Sequence, residues 1–205
     1  MKVRTEQKRD SIVEIAIGLF AEMGYEGASM NELARRAGGS KGTIYGYFPS
    51  KEALFEAVVR ATATNHLAEA VRALPADIDT RESLESALRR FAERVLVGTM
   101  DGDRGLAVYR MIVAEAGRSD VGQLFYASGP RECMEALAKL LAVAMDRGLL
   151  RKADPRVTAL HFISLATAEN TERLYQRSPA RLTPAQVRQM VKRAVVVFFA
   201  GAEAR

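Results

Sequence analysis

Residues 29–51, SMNELARRAGGSKGTIYGYFPSK, read as two short helices joined by a tight turn. Ser29 with Glu32 three residues on is a capping box, in which each side chain satisfies a backbone donor left open at a helix start. Leu33, Ala34 and Ala37 then recur at helical spacing. Gly38-Gly39 ends this helix, because glycine enters the left-handed conformation of a helix C-terminus without steric cost. Ser40 caps the next one, Lys41 to Phe48, about two turns long. Ile44 and Phe48 are four apart, share one face and anchor the helix inward. Lys41, Thr43, Tyr45 and Tyr47 lie off that stripe. Two short helices around a glycine-containing turn make a helix-turn-helix, and the second is expected to enter the DNA major groove.

The outward residue types suit that partner. A lysine offers charge to phosphate, hydroxyls of threonine and tyrosine bond phosphates or base edges, and the threonine methyl can touch thymine. Gly42 leaves room for close approach. The next helix opens at Ser50-Lys51, where its first amides and Lys51 together suit one phosphate.

With turn, recognition helix, tyrosines and following lysine in place, ASMNELARRAGGSKGTIYGYFPSKEALFEAVV resembles the DNA-binding signature of the tetracycline-repressor (TetR) family of bacterial transcription regulators. The likeness is close over roughly Thr5 to Val59 and beyond that extends to length and helical layout. It implies that Ser29 and Asn31 sit near phosphate and that Ser40, Lys41, Gly42 and Thr43 face the groove. It also implies that Tyr45, Tyr47 and Lys51 contact DNA. Gly46 stands where the family often carries a second aromatic residue, which removes one contact and costs about 0.8–1.0 kcal/mol of helix propensity relative to alanine.

Outward from this stretch the pattern stays helical. Ile12, Ile15, Ala16, Leu19 and Phe20 give a helix over Thr5–Met23 that Gly24 stops. Ala53, Leu54, Ala57, Val58 and Ala61 line one face of a helix expected to run unbroken from Ser50 to about Leu74, as a lever out of the DNA-binding part. Pro75 ends it. Further helices are expected at Arg81–Met100, Arg104–Ala116, Val121–Ser128 with Pro130–Arg147, Pro155–Arg177 and Pro184–Glu203. No strand or repeat emerges, so the fold class is all-α with about nine helices. The expected domains are a DNA-binding part over residues 1–51 and a ligand-binding and dimerisation part over 52–205.

The last two helices are apolar on more than one face and so need cover on more than one side. The family resemblance implies that they pair with their copies in a four-helix dimer interface, to which Phe162, Ala166, Val191, Val195 and Phe198 are assigned. A dimer also fits the target, since two recognition helices read the two halves of a palindrome. A pocket for a small apolar ligand is expected in the middle of the chain. Phe91, Val95, Tyr109, Ile112 and Phe125 are its candidates on the earlier helices, with Met134, Leu137, His161 and Leu165 on the later ones. His161, Glu169, Asn170 and Arg110 are polar residues within apolar runs, there as ligand contacts or as satisfied core groups.

Composition narrows the class. The net charge of +5 agrees with a polyanionic partner, yet residues 1–60 hold nine Lys/Arg against eight Asp/Glu, so local arrangement has to attract DNA. Lys2, Arg4, Lys8 and Arg9 cluster at the start, and Arg35, Arg36, Lys41 and Lys51 surround the motif. One cysteine, Cys133, rules out an internal disulfide and reads as a small buried hydrophobe. No apolar run approaches the ~20 residues of a membrane span, and the start lacks a secretory core, so a cytoplasmic location without membrane contact is expected. There is no His-Glu-x-x-His or Glu-x-x-His and no cysteine cluster, hence no metal and no cofactor. Gly39-Ser40-Lys41-Gly42 matches a KH-type GxxG literally, but that fold needs strands. No nucleophile is paired with a base, and no enzyme is expected. The expected function is a homodimeric regulator that binds double-stranded DNA at a palindromic operator and, as a repressor, leaves it when a small hydrophobic effector binds. The alternatives are a transcriptional activator and a helical carrier or sensor of hydrophobic molecules.

Overall fold

A computed structural model describes residues 5–100 and 103–202, apart from the side chains of residues 63, 97–100, 103 and 104. The all-α class holds: eleven α-helices, one π-helical turn and one 3-10 segment, without a strand among the described residues. They run α1 (Glu6–Gly27), α2 (Met30–Arg36), α3 (Lys41–Tyr47), α4 (Lys51–Val59), α5 (Asn65–Arg72) and α6 (Arg81–Met100). There follow α7 (Asp103–Glu115), α8 (Val121–Ala127), α9 (Pro130–Asp146), α10 (Pro155–Thr167) and α11 (Pro184–Ala202).

Two compact units form, one running to Thr64 and taking in Arg104–Ser128, the other made of Asn65–Asp103 and the chain from Gly129 onward. Packing thus puts the division at Thr64/Asn65, where the sequence suggested 51/52. The reason is the core: Leu54, Phe55 and Val58 of α4, Val108 and Ile112 of α7 and Val121 of α8 are buried in one cluster with Ile12, Phe20, Leu33 and Ile44. At its centre Phe20 stacks on Tyr25 with centroids 5.8 Å apart, and both meet Phe55 edge-on, at 5.7 and 5.1 Å.

The long helix expected over Ser50–Leu74 keeps its helical hydrogen bonding but passes through a π turn at Arg60–Thr64. A π turn closes its hydrogen bonds over five residues rather than four, which shifts the spacing of inward positions by about one residue. Accordingly Ala61, expected inward, is exposed, while Thr64, Leu67 and Ala70 are buried. Gly24, at φ 69°, breaks α1 where the sequence stopped it.

The second unit has its own core. Leu84, Leu88 and Phe91 of α6, Leu137 and Leu141 of α9, Phe162 of α10 and Val191, Val195 and Phe199 of α11 belong to it. The α6 entry loop is pinned by Arg147, which donates to the Ile78 carbonyl at 2.6 Å and pairs with Asp77 and Asp79. The helix expected over Pro155–Arg177 is α-helical to Thr167 and continues as a 3-10 segment over Ala168–Tyr175. Hydroxyls of Thr167 and Thr171 bond carbonyls four residues back, a competition that loosens a regular α-helix. Cys133 is buried, and burial pushes its thiol up to about 11, which fits an inert core residue.

Candidate nucleic-acid interface

The recognition helix is built by three local devices. The Ser29 hydroxyl accepts from the Glu32 amide at 3.1 Å and starts α2. At the other end Gly38, at φ 60°, permits the paired bonds Gly38 N–H to Arg35 O and Gly39 N–H to Ala34 O that close a helix and turn the chain. Ser40 then accepts from the Thr43 amide at 3.1 Å and starts α3. Only half of the expected capping box forms. The Glu32 carboxylate does not reach back but accepts from Arg35 at 2.8 and 2.6 Å and from Arg36 at 2.8 Å. Arg36 also donates to Glu22 on α1 at 2.6 Å. Hydrogen bonds from Arg35 and then Arg36 hold the Glu32 carboxyl down to about 2. These arginines, expected as cations around the motif, are thereby committed to tying α2 to α1 and to itself.

Within α3, Ile44 is the buried residue, and Phe48 follows it inward at the C-cap. Lys41, Gly42, Thr43 and Tyr45 are exposed, as are Ser40 and Asn31. The candidates assigned to the groove are thus all solvent-exposed. Lys41 Nζ lies 5.7 Å from the centroid of the Tyr45 ring, and the Ser40 and Thr43 hydroxyls are 2.9 Å apart. A Cβ on Gly42 would meet only Ser40 Oγ, at an ordinary 3.8 Å. Packing among the described residues does not require glycine there.

Tyr47 and Lys51 are half-buried. The Tyr47 hydroxyl accepts from the Thr5 amide at 3.2 Å, fastening the start of α1 to the end of α3. Arg9 lies over the Phe48 ring at 5.1 Å on the same side. Lys51, at the start of α4, donates to the Glu26 carbonyl at 3.3 Å and stands 4.3 Å above the Tyr25 ring. Tyr25 and Thr5 were not among the sequence candidates. Their part comes from tertiary contacts 26 and 42 residues apart in sequence, respectively, which no local periodicity signals. Lys2 and Arg4 lie outside the described residues.

In the second unit most of the pocket candidates pack into or against the core. Phe91 and Leu137 are in the unit's core, with Val95, Met134 and Leu165 packed against it. Ile112 belongs to the core of the first unit, where Phe125 packs against it and meets Tyr109 edge-on at 5.9 Å. His161 and Leu165 line a cavity of about 580 Å³, formed by Met145 of α9, α10, α11 and the 150–154 loop. Glu169 accepts from Arg193 at 2.8 Å in a surface ion pair, and Asn170 Oδ1 is buried without a hydrogen-bond partner among the described residues.

The dimer-face residues need correcting as well. Phe162, Ala166, Val191, Val195 and Phe198 are all under 5 % exposed within one chain. They make the intramolecular core, with Phe162 and Phe198 edge-on at 5.1 Å. The apolar residues of α10 and α11 that face outward are Val157 and Leu160, each 46 % exposed, and Val196 and Val197, at 59 % and 56 %. Both helices carry apolar residues on two sides, as expected, and the residues assigned to a partner are packed within the chain.

Known proteins align with both units. Residues 12–58 match the bacterial regulatory proteins of the tetR family, and residues 86–201 match the C-terminal domain of AefR-like transcriptional repressors. The flavonoid-responsive regulator FrrA is 32% identical over 98% of this chain and 100% of its own, with a TM-score of 0.71. A TetR-family regulator of Mesorhizobium loti MAFF303099 is 28% identical over 99% of this chain and 100% of its own, with a TM-score of 0.75. The A-factor receptor protein of Streptomyces griseus is 28% identical over 77% of this chain, and the match spans about half, 52%, of that protein.

Proposed function

We propose, from the premise that this chain belongs to the tetR family of bacterial regulatory proteins, that it is a homodimeric transcription regulator which binds a palindromic operator through α3. The observation that carries the reading is the exposed surface of Ser40, Lys41, Gly42, Thr43 and Tyr45 on a helix fixed from behind by Ile44 and Phe48. Lys41 and Lys51 supply phosphate contacts, and Thr43 and Tyr45 supply contacts to base edges or phosphates. Asn31 and Ser29 flank them at the start of α2. The first unit is the DNA-binding part and the second carries dimerisation and effector response.

A second copy of the chain is the partner of α10 and α11. The exposed valines and Leu160 support this, because a stripe of large apolar residues on two adjacent helices gains free energy when removed from water. The cavity at His161 opens on the same pair of helices. Regulation is by a small, largely hydrophobic effector that releases the operator. Family membership and the flavonoid response in the name of FrrA support that part. Phe91 and Leu137, expected to line an effector pocket, are packed as core. The effector must bind the DNA-competent and DNA-incompetent states unequally to shift anything, and a coupling of about 1–3 kcal/mol, or 5- to 150-fold, is ordinary.

The test is selection from a pool of random duplex DNA followed by sequencing of what is retained. The reading expects an inverted repeat with half-sites a helical turn or more apart. Recovery of unrelated sequences, with affinity that vanishes as salt rises, contradicts an operator and leaves a nonspecific binder.

A further inference from the structure

We infer that Tyr25 is a positioning residue for DNA binding, holding the Lys51 ammonium over its ring so that the lysine meets phosphate already placed. The inference rests on the reading of Lys51 as a phosphate contact. A lysine on a surface helix normally samples many rotamers, and fixing it on binding costs entropy. Lys51 is already fixed. Its ammonium is 4.3 Å from the Tyr25 centroid, within the range of a cation held by a ring's negative face, and it donates to the Glu26 carbonyl at 3.3 Å. An ammonium has three N–H donors. The carbonyl takes one, leaving donor capacity for a phosphate oxygen.

The ring itself cannot turn away. Tyr25 is 6 % exposed, stacked on Phe20 and edge-on to Phe55 at 5.1 Å. Its hydroxyl donates to Glu52 Oε1 at 3.4 Å, so the same side chain holds the carboxylate that follows Lys51 in the chain. Burial, and then the Glu52 charge, push the Tyr25 hydroxyl up to about 12, so it stays a neutral donor at any working pH. Face and hydroxyl thus sort the cation from its neighbouring anion at the first turn of α4. Gly24, whose φ of 69° breaks α1 immediately before Tyr25, lets the chain turn the ring toward α4.

The experiment keeps the packing and changes the charge of the ring face. Tyr25→Phe and a variant with pentafluorophenylalanine at position 25 are compared for affinity to the inverted-repeat duplex recovered by selection, each also in a Lys51→Met background. Tyr25→Phe, which keeps the ring face but loses the hydroxyl bond to Glu52, is the reference against which the fluorinated ring is read. The fluorinated ring, of similar shape but without a negative face, is expected to weaken binding about two- to fivefold per protomer, with a melting temperature lowered by no more than a few degrees. In the Lys51→Met background that loss is expected to vanish. In the free protein the Lys51 ε-methylene proton resonances are expected upfield of ordinary lysine, under the ring. Equal affinity of the fluorinated and Tyr25→Phe proteins overturns the assignment, as does a loss that persists without Lys51 or an ordinary ε-methylene shift. Absence of any duplex binding by the natural protein would instead overturn the DNA-binding reading and this assignment with it.

Discussion

The proposed recognition helix α3 and the last helix α11 solve opposite problems. Of the seven residues of α3, Ile44 alone is buried, and the exposed ones are a lysine, a threonine, a tyrosine and a glycine. Of the nineteen residues of α11, eight are buried, and Val196 and Val197 are among those left exposed. In α3 chemistry separates the two faces: what is apolar goes in and what bonds goes out. In α11 large apolar residues also stand on the exposed side, Val196 and Val197 beside Lys192 and Arg193, so residue type does not say which valines meet the chain's own core and which are left for a partner. A helix whose two jobs use different chemistry declares both, and one whose two jobs use the same chemistry does not.

Substitutions on the two sides of the α10–α11 pair can break that distinction. The largest effect is expected in the core. Phe162→Ala removes a ring that is wholly buried and edge-on to Phe198, and should cost about 3–5 kcal/mol by denaturant unfolding. An effect below about 1 kcal/mol, the size of an ordinary surface substitution, would put Phe162 on an outer face, where the family resemblance places it. On the other side, Val197→Glu places a charge on the exposed apolar stripe. Leaving it unpaired in a dry interface costs about 3–5 kcal/mol, so dimer affinity should fall about a hundredfold or more in sedimentation equilibrium, with helicity retained. A natural protein and a variant that sediment alike would remove this face from the dimer.

A smaller effect sharpens the account of the first unit. The Glu32 carboxyl is held well below its ordinary value in the folded chain, so its contribution is complete above pH about 4.5 and is lost as pH falls toward 2. The melting temperature of the natural protein should therefore drop through that window, and that of Glu32→Gln should start lower and drop less. Parallel curves would mean that the Arg35 and Arg36 contacts contribute nothing to holding α2.

Several parts of this molecule are legible in the sequence. Ser29, Ser40 and Ser50 each cap the helix that starts beside them, because capping is a local competition within four residues. Gly38 takes the left-handed conformation its position requires. Ile44 and Phe48 anchor α3 as their spacing demands. What escapes a sequence reading depends on distant neighbours. The π turn at 60–64 cannot be read from apolar spacing, which is what it violates. The split of Tyr109, Ile112 and Phe125 from Phe91 and Leu137 follows from α7 and α8 joining the first unit, a choice of partner helix that periodicity does not encode. Tyr25 in sequence is one more aromatic residue, and only the tertiary fold brings Lys51 over its ring.

The central claim is that the exposed face of α3 contacts DNA, and the most direct measurement is equilibrium binding of the recovered inverted-repeat duplex by Lys41→Ala across a salt series. Lys41 is exposed and takes no part in the core, so the variant should melt like the natural protein. The account predicts weaker binding and a salt dependence shallower by about one unit of slope for each phosphate that the variant no longer neutralises. Unchanged affinity and an unchanged slope would contradict it.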